Sequence, residues 1–404
     1  MKQYQKPLIS EWAVNKKRVF LRTDFNVPFF EDQILDDFRL QNGIETLEYL
    51  IQKGATVFVV THLSRPKGSD QKYSTKILLP WFKKAGFEPL FIENPLQDSL
   101  LPLLDNSNKK QFYLFENVRF YKEETDETLP LEIRTHFAKK LIQHATFYIN
   151  DAFSVSHRDN VSVTIVANLF SPINRSLGFS CYKEIIALEK VISEKQRPCA
   201  LVIAGAKIED KIILIKHLLK KIDLLLLCPA IVHPFLSVTH AEIGFSLTTE
   251  KANDHALEII KKAEENSVKI VFPIDYVVSE IDNSESFFIK KTSMIQKTDT
   301  IISIGPETLS LFDSSLDSTH THTIFINGIC GFLEKPKSML WMNNLFKIIA
   351  KKHAYRIVCG GDSLAALKKI DLESSFDFLS PGGGATLAFL SNNKMPGISL
   401  FKTP

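Results

Sequence analysis

Residues 200–211 have the sequence ALVIAGAKIEDK, and this stretch predicts the fold. The continuously apolar residues 200–203 indicate a β-strand that is buried on both faces. A glycine-containing turn, 204–207, follows this strand, and an amphipathic helical pattern comes next, over 211–221. Strand, glycine turn and helix in this order are typical of a parallel sheet covered by helices, in which ligands bind beyond the carboxyl ends of the strands.

The same alternation of strand and helix extends over the whole chain. Further helical patterns include 252–265 and 338–352. The predicted strands are 19–21, 56–60, 112–115, 146–149, 200–203, 224–227, 269–272, 300–304, 323–326, 356–358 and 376–379. This order predicts an α/β fold with two doubly wound parallel-sheet (Rossmann-like) lobes, joined by a helix that acts as a hinge.

The length of 404 residues is sufficient for two or three domains. Serine, proline and glycine interrupt the pattern near 168–183, and a helix is predicted from about residue 182 to 194. We therefore expect a first lobe over 1–170, a connector with an interdomain helix over 171–196, and a second lobe over 197–390. The C-terminal tail, 391–404, is too short to fold alone and is expected to pack on one lobe.

The composition is that of an ordinary globular protein, with 45% hydrophobic and 24% charged residues. A net charge of +3 is too small to predict nucleic acid or a membrane surface as a partner. The longest apolar run, 224–232, is far shorter than the roughly 20 residues that span a bilayer. Five cysteines without a C-x-x-C pair favour reduced thiols in the cytoplasm and argue against a zinc site.

Arginine is rare in this chain and is concentrated in its first half. Ten of the 49 basic residues are Arg, and nine of them lie at or before Arg197. Several follow predicted strands, together with other polar groups: Arg22-Thr23-Asp24 and Asn26, Arg39, His62 and Arg65, Arg119, and Asp151 with Arg158. Each arginine alone could be a surface ion-pair partner. Together, at equivalent strand ends, they predict a site for a small, multiply charged anion that carries hydroxyl groups.

The second half has glycine-rich turns after its strands instead. These turns are 204–207, 359–363 and 380–385, and each leads into a predicted helix. Glycines allow backbone N–H groups to approach phosphate oxygens. Lys207 and Lys211 are spaced i,i+4, which would place both on one helix face. No complete P-loop or dinucleotide-binding motif is present, but the three turns together predict a nucleotide site.

Other reactive residues have simpler explanations. Asp36 and Asp37 could form an acid–base pair, but neighbouring carboxylates in a turn are usually solvated. His320 and His322 could bind a metal ion, but the sequence offers no third ligand nearby, so exposed histidines are favoured. Cys359 could be a nucleophile at the start of a helix. A small buried residue in a tight turn is the preferred interpretation there.

The motifs in this order resemble the phosphoglycerate kinase family along nearly the whole chain. The stretches that carry the resemblance are RTDFNVP, THLSRPKG, FENVRFYKEE, YINDAFSVSHR, IAGAKIEDKI, FPIDYVV, ISIGPET, INGICGFLE, CGGDSLAAL and SPGGGATLAFL. The resemblance implies reversible phosphoryl transfer from 1,3-bisphosphoglycerate to ADP. It also implies that the two lobes close during the reaction and that the C-terminal tail packs on the first lobe.

The resemblance further implies a role for each site residue. The 3-phosphoglycerate or 1,3-bisphosphoglycerate site would contain Asp24, Asn26, Arg39, His62, Arg65, Arg119 and Arg158. The ADP or ATP site would contain Lys207, Lys211, Glu334, Gly360, Gly361, Asp362 and Ser363, with Asp362 near Mg²⁺ that is bound with the nucleotide. The catalytic group would be Arg39, Lys207, Lys211 and Gly383, which belongs to the triple glycine 382–384. We expect a monomer.

Several positions depart from the family pattern. Cys228-Pro229-Ala230 replaces glycines near the adenine pocket, Ile329-Cys330 replaces Pro-Met, Cys359 replaces a glycine, and Pro381 replaces a threonine. Ser64, Ser154 and Ala204 also stand where the family usually has glycine. These changes leave two alternatives to an ordinary enzyme: a non-catalytic descendant with a weakened nucleotide site, or a kinase with a different nucleotide preference. The charged site residues are all retained, which favours an active kinase.

Overall fold

The computed structural model describes residues 14–97, 110–205, 208–280 and 283–401. Within them the chain divides into two compact units, the first comprising 14–186 with 394–401, and the second comprising 187–393. The division falls inside a helix and inside the segment 171–196 that the sequence assigns to the connector. Among the described residues, no helix combines the length and the apolar character that crossing a membrane requires.

The first unit is built on a six-stranded sheet with the order β5-β6-β4-β1-β7-β8, in which every pair is parallel. Strands β2 and β3 form a separate antiparallel pair. The elements in chain order are β1 (Arg18–Thr23), β2 (Phe29–Phe30), β3 (Gln33–Ile34), α1 (Phe38–Gln52), β4 (Thr56–Val60), α2 (Leu79–Lys84), β5 (Glu88–Ile92), β6 (Gln111–Phe115), α3 (Leu131–Leu141), β7 (Phe147–Asp151), α4 (Ile165–Leu169), β8 (Arg175–Leu177) and α5 (Phe179–Val191).

Burial on both faces explains the apolar run 19–21 in the central strand β1. Helix α1 buries Leu40, Leu47 and Leu50, which share one face at helical spacing. On this side of the sheet, Phe82 contacts Phe25 and Phe112 edge to face, with ring centroids 5.5 and 5.0 Å apart. This packing fixes the strand ends from which the first candidate site is built.

The second unit has its own six-stranded parallel sheet, with the order β11-β10-β9-β15-β16-β17. A second, antiparallel sheet has the order β13-β12-β14. The elements are β9 (Cys199–Ile203), α6 (Ile208–Leu218), β10 (Leu224–Leu227), α7 (His233–Val238), α8 (Glu250–Glu265), β11 (Lys269–Val271), β12 (Asp275–Glu280), β13 (Asn283–Lys291), β14 (Asp299–Ile304), α9 (Pro306–Ser318), β15 (Thr323–Asn327), α10 (Leu340–Ala350), β16 (Tyr355–Cys359), α11 (Gly361–Lys368), β17 (Phe378–Ser380) and α12 (Gly384–Leu390).

The predicted α/β class with two parallel-sheet units is confirmed, with corrections in both halves. The run 300–304 is a strand, β14, but it belongs to the antiparallel sheet rather than to the doubly wound one. An apolar run does not specify its partner strand, so the sequence could not distinguish the two sheets. Strand β8 lies inside the predicted connector and pairs with β7, which extends the first sheet past residue 170. Its sequence, RSL, has too few apolar residues to indicate a strand.

The last described residues, 394–401, belong to the first unit and contain a short helix, α13 (Pro396–Ser399). The backbone N–H of Gly397 donates to the carbonyl of Ser156 at 2.9 Å. The side-chain amide of Asn150 donates to the carbonyl of Gly397 at 2.8 Å. The end of the described chain is thereby bonded to the segment that follows β7.

Candidate functional site

The predicted anion-binding residues of the first unit lie at the carboxyl ends of four neighbouring strands. Because these strands are parallel, their carboxyl ends share one edge of the sheet. Asp24 and Asn26 follow β1, His62 and Arg65 follow β4, Arg119 follows β6, Arg158 follows β7, and Arg39 lies in the first turn of α1. We call these seven residues the first-unit site.

Asp24 fixes the side chain of Arg39. Its carboxylate accepts a hydrogen bond from the Arg39 guanidinium and another from the hydroxyl of Ser154. The backbone N–H of Asn26 also donates to Asp24, at 3.3 Å. Ser154, which stands where the family usually has glycine, therefore contributes a bond to this site that the sequence analysis did not predict.

The loop after β4 is tied to the loops on either side of it. The Asn26 side-chain oxygen accepts a hydrogen bond from the backbone N–H of Ser64 at 2.8 Å. The Arg119 guanidinium donates to the carbonyl of Ser64 at 2.6 Å. Ser64 has a φ of +53°, in the left-handed region that glycine favours, and these two bonds hold it there.

Arg22 lies beneath the first-unit site rather than in it. Its position in the sequence groups it with the strand-end arginines, but its side chain is fully buried. Its Nε donates to the Ser162 hydroxyl at 2.7 Å, and its Nη2 lies 4.0 Å from a carboxylate oxygen of Glu124 and 3.3 Å from Nδ1 of His62. Glu124 in turn accepts hydrogen bonds from the hydroxyl and the backbone N–H of Ser162, at 2.7 and 2.8 Å. This buried network joins residues that are far apart in sequence and contacts His62 through Arg22.

Positive charge dominates the first-unit site. Burial and the positive charges of nearby arginines, Arg119 and Arg22 first among them, hold the pKa of His62 well below its usual value. Burial, with repulsion from Arg22 and Arg158, lowers the pKa of Arg119 to about 9. The Nε of Arg119 is buried and makes no hydrogen bond to the protein. Guanidinium groups that repel one another in this way are suited to bind a ligand with more than one negative charge.

In the second unit, the corresponding strand ends are formed mainly by backbone. Lys211, on α6, is buried, and its ammonium donates to the carbonyl of Ala204 at the end of β9. A Cβ on Gly328 would collide with this carbonyl and with the Lys211 ammonium, and Gly328 has a φ of +91°. Glycine is therefore required at 328. Lys207 lies outside the described residues, and because α6 is described from Ile208, the predicted pairing of Lys207 with Lys211 on one helix face stays a prediction.

The glycine turn after β16 leads directly into α11. Gly360 precedes the helix with a φ of +101°, and a Cβ on Gly361 would meet no atom within 4 Å. The hydroxyl of Ser363 accepts a hydrogen bond from the backbone N–H of Gly328 at 3.1 Å, so the turns after β15 and β16 are joined. Gly383 occupies the equivalent position before α12, with a φ of +53°.

A groove of about 580 Å³ lies within the second unit and is bordered by the turns after β9, β10, β15 and β16. We call it the second-unit groove. Its walls are mostly apolar, and both Glu334 and Asp362 border it with exposed side chains. The other lining residues are Gly205, Ile208, Pro229, Ala230, His233, Phe245, Ser246, Leu247, Thr300, Ile301, Ile302, Ile329, Cys330, Gly331, Phe332 and Leu333. Apolar walls with a few polar groups are typical of a site for a small, partly apolar ligand.

The donors in this part of the chain fit a magnesium ion that is bound mainly by a nucleotide. In the described ranges, no group of three His, Cys, Asp or Glu side chains could hold a metal ion, His320 and His322 included. Mg²⁺ is commonly held by one or two carboxylates together with substrate phosphates, and the exposed carboxylate of Asp362 could serve as one of them.

The five cysteines are core residues. All five are described, all are buried, and none is in a disulfide, as the sequence analysis predicts for reduced thiols. Cys359 is the buried last residue of β16, in agreement with the preferred interpretation. Cys228 and Cys330 belong to the apolar core beside the second-unit groove.

Comparisons with known proteins agree on one family. A family model described as Phosphoglycerate kinase matches residues 9–393. The chain is 34% identical over 389 residues to phosphoglycerate kinase of Dictyoglomus turgidum, with 96% of each chain covered, and 33% identical over 401 residues to the cytosolic enzyme of Nicotiana tabacum, again with 96% of each covered. Among solved structures, phosphoglycerate kinase of Coxiella burnetii superimposes with a TM-score of 0.83 at 30% identity, and that of Pyrococcus horikoshii with 0.79 at 25% identity, each with 97% of both chains covered.

Proposed function

The chain belongs to the phosphoglycerate kinase family, and we propose that its first unit binds the phosphoglycerate and its second unit the nucleotide. The activity of the family is the reversible transfer of a phosphoryl group from 1,3-bisphosphoglycerate to ADP, which gives 3-phosphoglycerate and ATP. The observation that carries our assignment is the concentration of arginine side chains at the strand ends of the first unit.

We assign 3-phosphoglycerate and 1,3-bisphosphoglycerate to the first-unit site. A phosphate with a nearby carboxylate or acyl phosphate provides the multiple negative charges that Arg65, Arg119 and Arg158 would neutralise. Repulsion among these arginines supports the assignment, because an anion would relieve it. Asp24 and Asn26 supply an acceptor and an amide for the hydroxyl group of the ligand.

We assign ADP and ATP to the second-unit groove. The apolar walls suit the base, and the exposed carboxylate of Glu334 suits the ribose hydroxyl groups. We assign the phosphates of the nucleotide to Lys211 and to the glycine turns at 360–361 and 382–384, because each of these turns leads into the N-terminus of a helix. Lys207 is included in this site from the sequence.

Asp362 and the phosphate oxygens of the nucleotide would hold Mg²⁺, which neutralises phosphate charge when it is bound. This carboxylate would also orient the nucleotide in the groove. The remaining positive charge near the transferred group would come from Lys207, Lys211 and Arg39.

The chemistry requires positioning rather than proton transfer. In the direction of ATP consumption, a carboxylate oxygen of 3-phosphoglycerate attacks the γ-phosphorus, and the bond from that phosphorus to the bridging oxygen of ADP breaks. The attacking carboxylate is already ionised at neutral pH, so no general base is required. Arg39, held by Asp24, would stabilise the negative charge of the transferring phosphoryl group, with Gly383 beside it. Since the two substrates are assigned to different units, closure of the units during turnover is part of this proposal.

We also expect a cytoplasmic enzyme that acts as a monomer, without nucleic acid or a membrane as a partner. The small net charge and the five unbridged cysteines support this expectation.

A coupled assay with purified protein, 3-phosphoglycerate and Mg·ATP tests the proposed function. We expect turnover that requires both substrates and that stops when Mg²⁺ is chelated. Circular dichroism should establish that the protein is folded. Folded protein that binds 3-phosphoglycerate but neither binds nor turns over the nucleotide would contradict the proposal and would identify a non-catalytic descendant.

A further inference from the structure

His233 joins two walls of the second-unit groove by hydrogen bonds. It is the first residue of α7, and its side chain is buried. Its Nε2 accepts a hydrogen bond from the backbone N–H of Ala230 at 3.3 Å, and the ring also donates a hydrogen bond to the backbone carbonyl of Leu247. Because a neutral imidazole has one acceptor and one donor nitrogen, the donor to Leu247 is Nδ1.

The neutral form of His233 is favoured at neutral pH. Burial lowers its pKa to about 4. The ring therefore keeps one donor and one acceptor, and the two hydrogen bonds use both of them. Protonation would replace the acceptor at Nε2 with a donor facing the N–H of Ala230, so the two-bond arrangement fixes the tautomer as well as the charge.

Both segments that His233 joins have unusual features. Ala230 has a φ of +70°, a left-handed conformation that is uncommon for alanine. Leu247 is 82% exposed although it is large and apolar, and nearby Phe245 is 55% exposed. Ala230, Phe245 and Leu247 all line the groove, and their apolar side chains suit a nucleoside base.

The stretch 245–247 has few other attachments on this side. The backbone N–H of Phe245 donates to the carbonyl of Asp299 at 2.7 Å, and the hydroxyl of Ser246 accepts from the N–H of Ile301 at 3.0 Å. These bonds fix 245 and 246 to β14. The bond from His233 then fixes residue 247 to the loop that follows β10.

We propose that His233 is a positioning residue that determines how tightly, and with what selectivity, this protein binds the base of its nucleotide. It acts by holding Ala230 and Leu247 at a fixed separation across the groove. This inference rests on the proposed placement of ADP and ATP in the second-unit groove. It concerns a position whose surroundings, Cys228-Pro229-Ala230, depart from the family pattern.

Three substitutions separate the two hydrogen bonds. In His233→Asn, the side-chain nitrogen can occupy the place of Nδ1 and donate to Leu247, but nothing replaces Nε2. In His233→Gln, the side-chain oxygen can occupy the place of Nε2 and accept from Ala230, but no donor reaches Leu247. His233→Ala removes both bonds.

The test is titration calorimetry with ADP, with GDP and with inorganic tripolyphosphate, which has a polyphosphate chain but no base. We expect His233→Ala to lower the affinity for ADP about tenfold and to reduce the preference between ADP and GDP. Its affinity for tripolyphosphate should stay within twofold of the wild type. His233→Asn and His233→Gln each keep one of the two bonds, so the ADP affinity of each should lie between those of the wild type and His233→Ala. The kcat at saturating nucleotide should change by less than twofold in all three variants.

Two results would overturn the inference. One is ADP binding in His233→Ala that equals that of the wild type. The other is an equal loss for ADP and tripolyphosphate in all three variants, because that pattern indicates a general structural role. ADP affinity in His233→Asn or His233→Gln that equals that of the wild type would overturn the role of the bond that the variant removes.

Lys211→Met distinguishes a failure of this inference from a failure of the proposed nucleotide site. This variant should lose the binding of both ADP and tripolyphosphate. If Lys211→Met binds ADP like the wild type, the nucleotide does not occupy this groove and the proposed placement fails. If Lys211→Met binds neither ligand and His233→Ala binds both like the wild type, the proposed placement of the nucleotide stands and the proposed role of His233 is refuted.

Discussion

The two candidate sites lie at strand ends of two similar sheets, but one is formed mainly by side chains and the other mainly by backbone. In the first-unit site, side chains form the surface, and other side chains hold them: Asp24 bonds Arg39, and Arg119 bonds the loop at Ser64. In the second unit, backbone turns form the strand ends, where Gly328 allows a close approach and Gly360 adopts a φ of +101°.

This difference matches the ligands that we assign. A small anion with several charges is recognised by directed guanidinium groups, so charge should dominate the behaviour of the first-unit site. A nucleotide extends from an apolar base to a polyphosphate, so shape and backbone conformation should dominate in the second unit. Substitutions that remove charge should therefore affect the first site most, and substitutions that add atoms should affect the second.

The largest effect is expected for Arg39→Ala. Removal of a guanidinium that stabilises the transferring phosphoryl group should lower kcat by about 10³-fold, as for arginines that act in other phosphoryl transfers. The coupled assay at saturating substrates measures this change. Lys183→Ala removes an exposed ion pair with Glu45 in the same unit and should leave kcat within twofold. A decrease of only two- or threefold in Arg39→Ala would remove Arg39 from the catalytic group.

Gly328→Ala tests whether backbone geometry governs the second unit. The added Cβ would collide with the carbonyl of Ala204 and with the Lys211 ammonium, at a φ that disfavours alanine. We expect ADP binding to weaken by about 100-fold, equivalent to about 2.7 kcal/mol, while 3-phosphoglycerate binding stays unchanged. Calorimetry with both ligands provides the measurement.

The stability control for this substitution is Gly361→Ala. A Cβ there meets no atom within 4 Å, so the free energy of unfolding should change by less than about 1 kcal/mol. Nearly unchanged ADP binding in Gly328→Ala would show that the turn is more adaptable than the close approach at Ala204 implies.

Asp151 should make the stability of the first unit depend on pH. It is the buried last residue of β7, and it accepts a hydrogen bond from the N–H of Cys181 at 2.8 Å. Burial raises its pKa to about 6, from a usual value near 4. Since the folded state favours the protonated carboxyl, its stabilising contribution is complete below about pH 4 and is lost as the pH rises through 6.

We expect the free energy of unfolding of the wild type, relative to Asp151→Asn, to fall by about 2–3 kcal/mol between pH 4 and pH 8. Urea unfolding of both proteins across this range measures the difference. Subtraction of the variant removes the contributions of other groups, such as His62, whose lowered pKa acts in the opposite direction. A difference that is constant with pH would mean that Asp151 is ionised in the folded protein across the range.

The smallest expected effect is that of Ala230→Gly. Glycine tolerates the left-handed φ of +70° better than alanine does, so the substitution should raise the free energy of unfolding by about 0.5–1 kcal/mol. The same change in a helix, Ala256→Gly in α8, should lower it by about 1 kcal/mol or more. Thermal unfolding compares the two variants, and destabilisation by Ala230→Gly would indicate that the alanine methyl group packs better than its backbone conformation suggests.

The sequence predicts most of the parallel strands, because burial on both faces leaves a clear apolar run, but it does not predict β5 or β8. The limits predicted for β4 and β10 coincide with those of the structure. It did not predict β13, whose sequence NSESFFIKK mixes polar and apolar residues, as expected of an exposed antiparallel strand. Such a strand is defined by its partner β12, and pairing is not visible in a single run of residues.

At the level of the site, sequence order identified which strand ends carry charge but not how deep each side chain lies. Arg22 and Arg119 both adjoin strand ends, yet Arg22 is covered completely by Glu124 and Ser162 from distant parts of the chain. The bonds of His233 to Ala230 and Leu247 were likewise invisible, because they depend on where two loops meet. Local patterns predict element positions, whereas burial and long-range pairing require the folded chain.

The central claim is that each unit binds one substrate, and a calorimetric comparison of two variants tests it most directly. Arg119→Gln and Lys211→Met each remove one positive charge, and each is titrated with 3-phosphoglycerate and with Mg·ADP. We predict that Arg119→Gln lowers the affinity for 3-phosphoglycerate at least tenfold and leaves the affinity for Mg·ADP within twofold of the wild type. Lys211→Met should do the reverse. If Arg119→Gln instead weakened Mg·ADP and left 3-phosphoglycerate unchanged, or if both variants weakened both ligands equally, the assignment of one substrate to each unit would be contradicted.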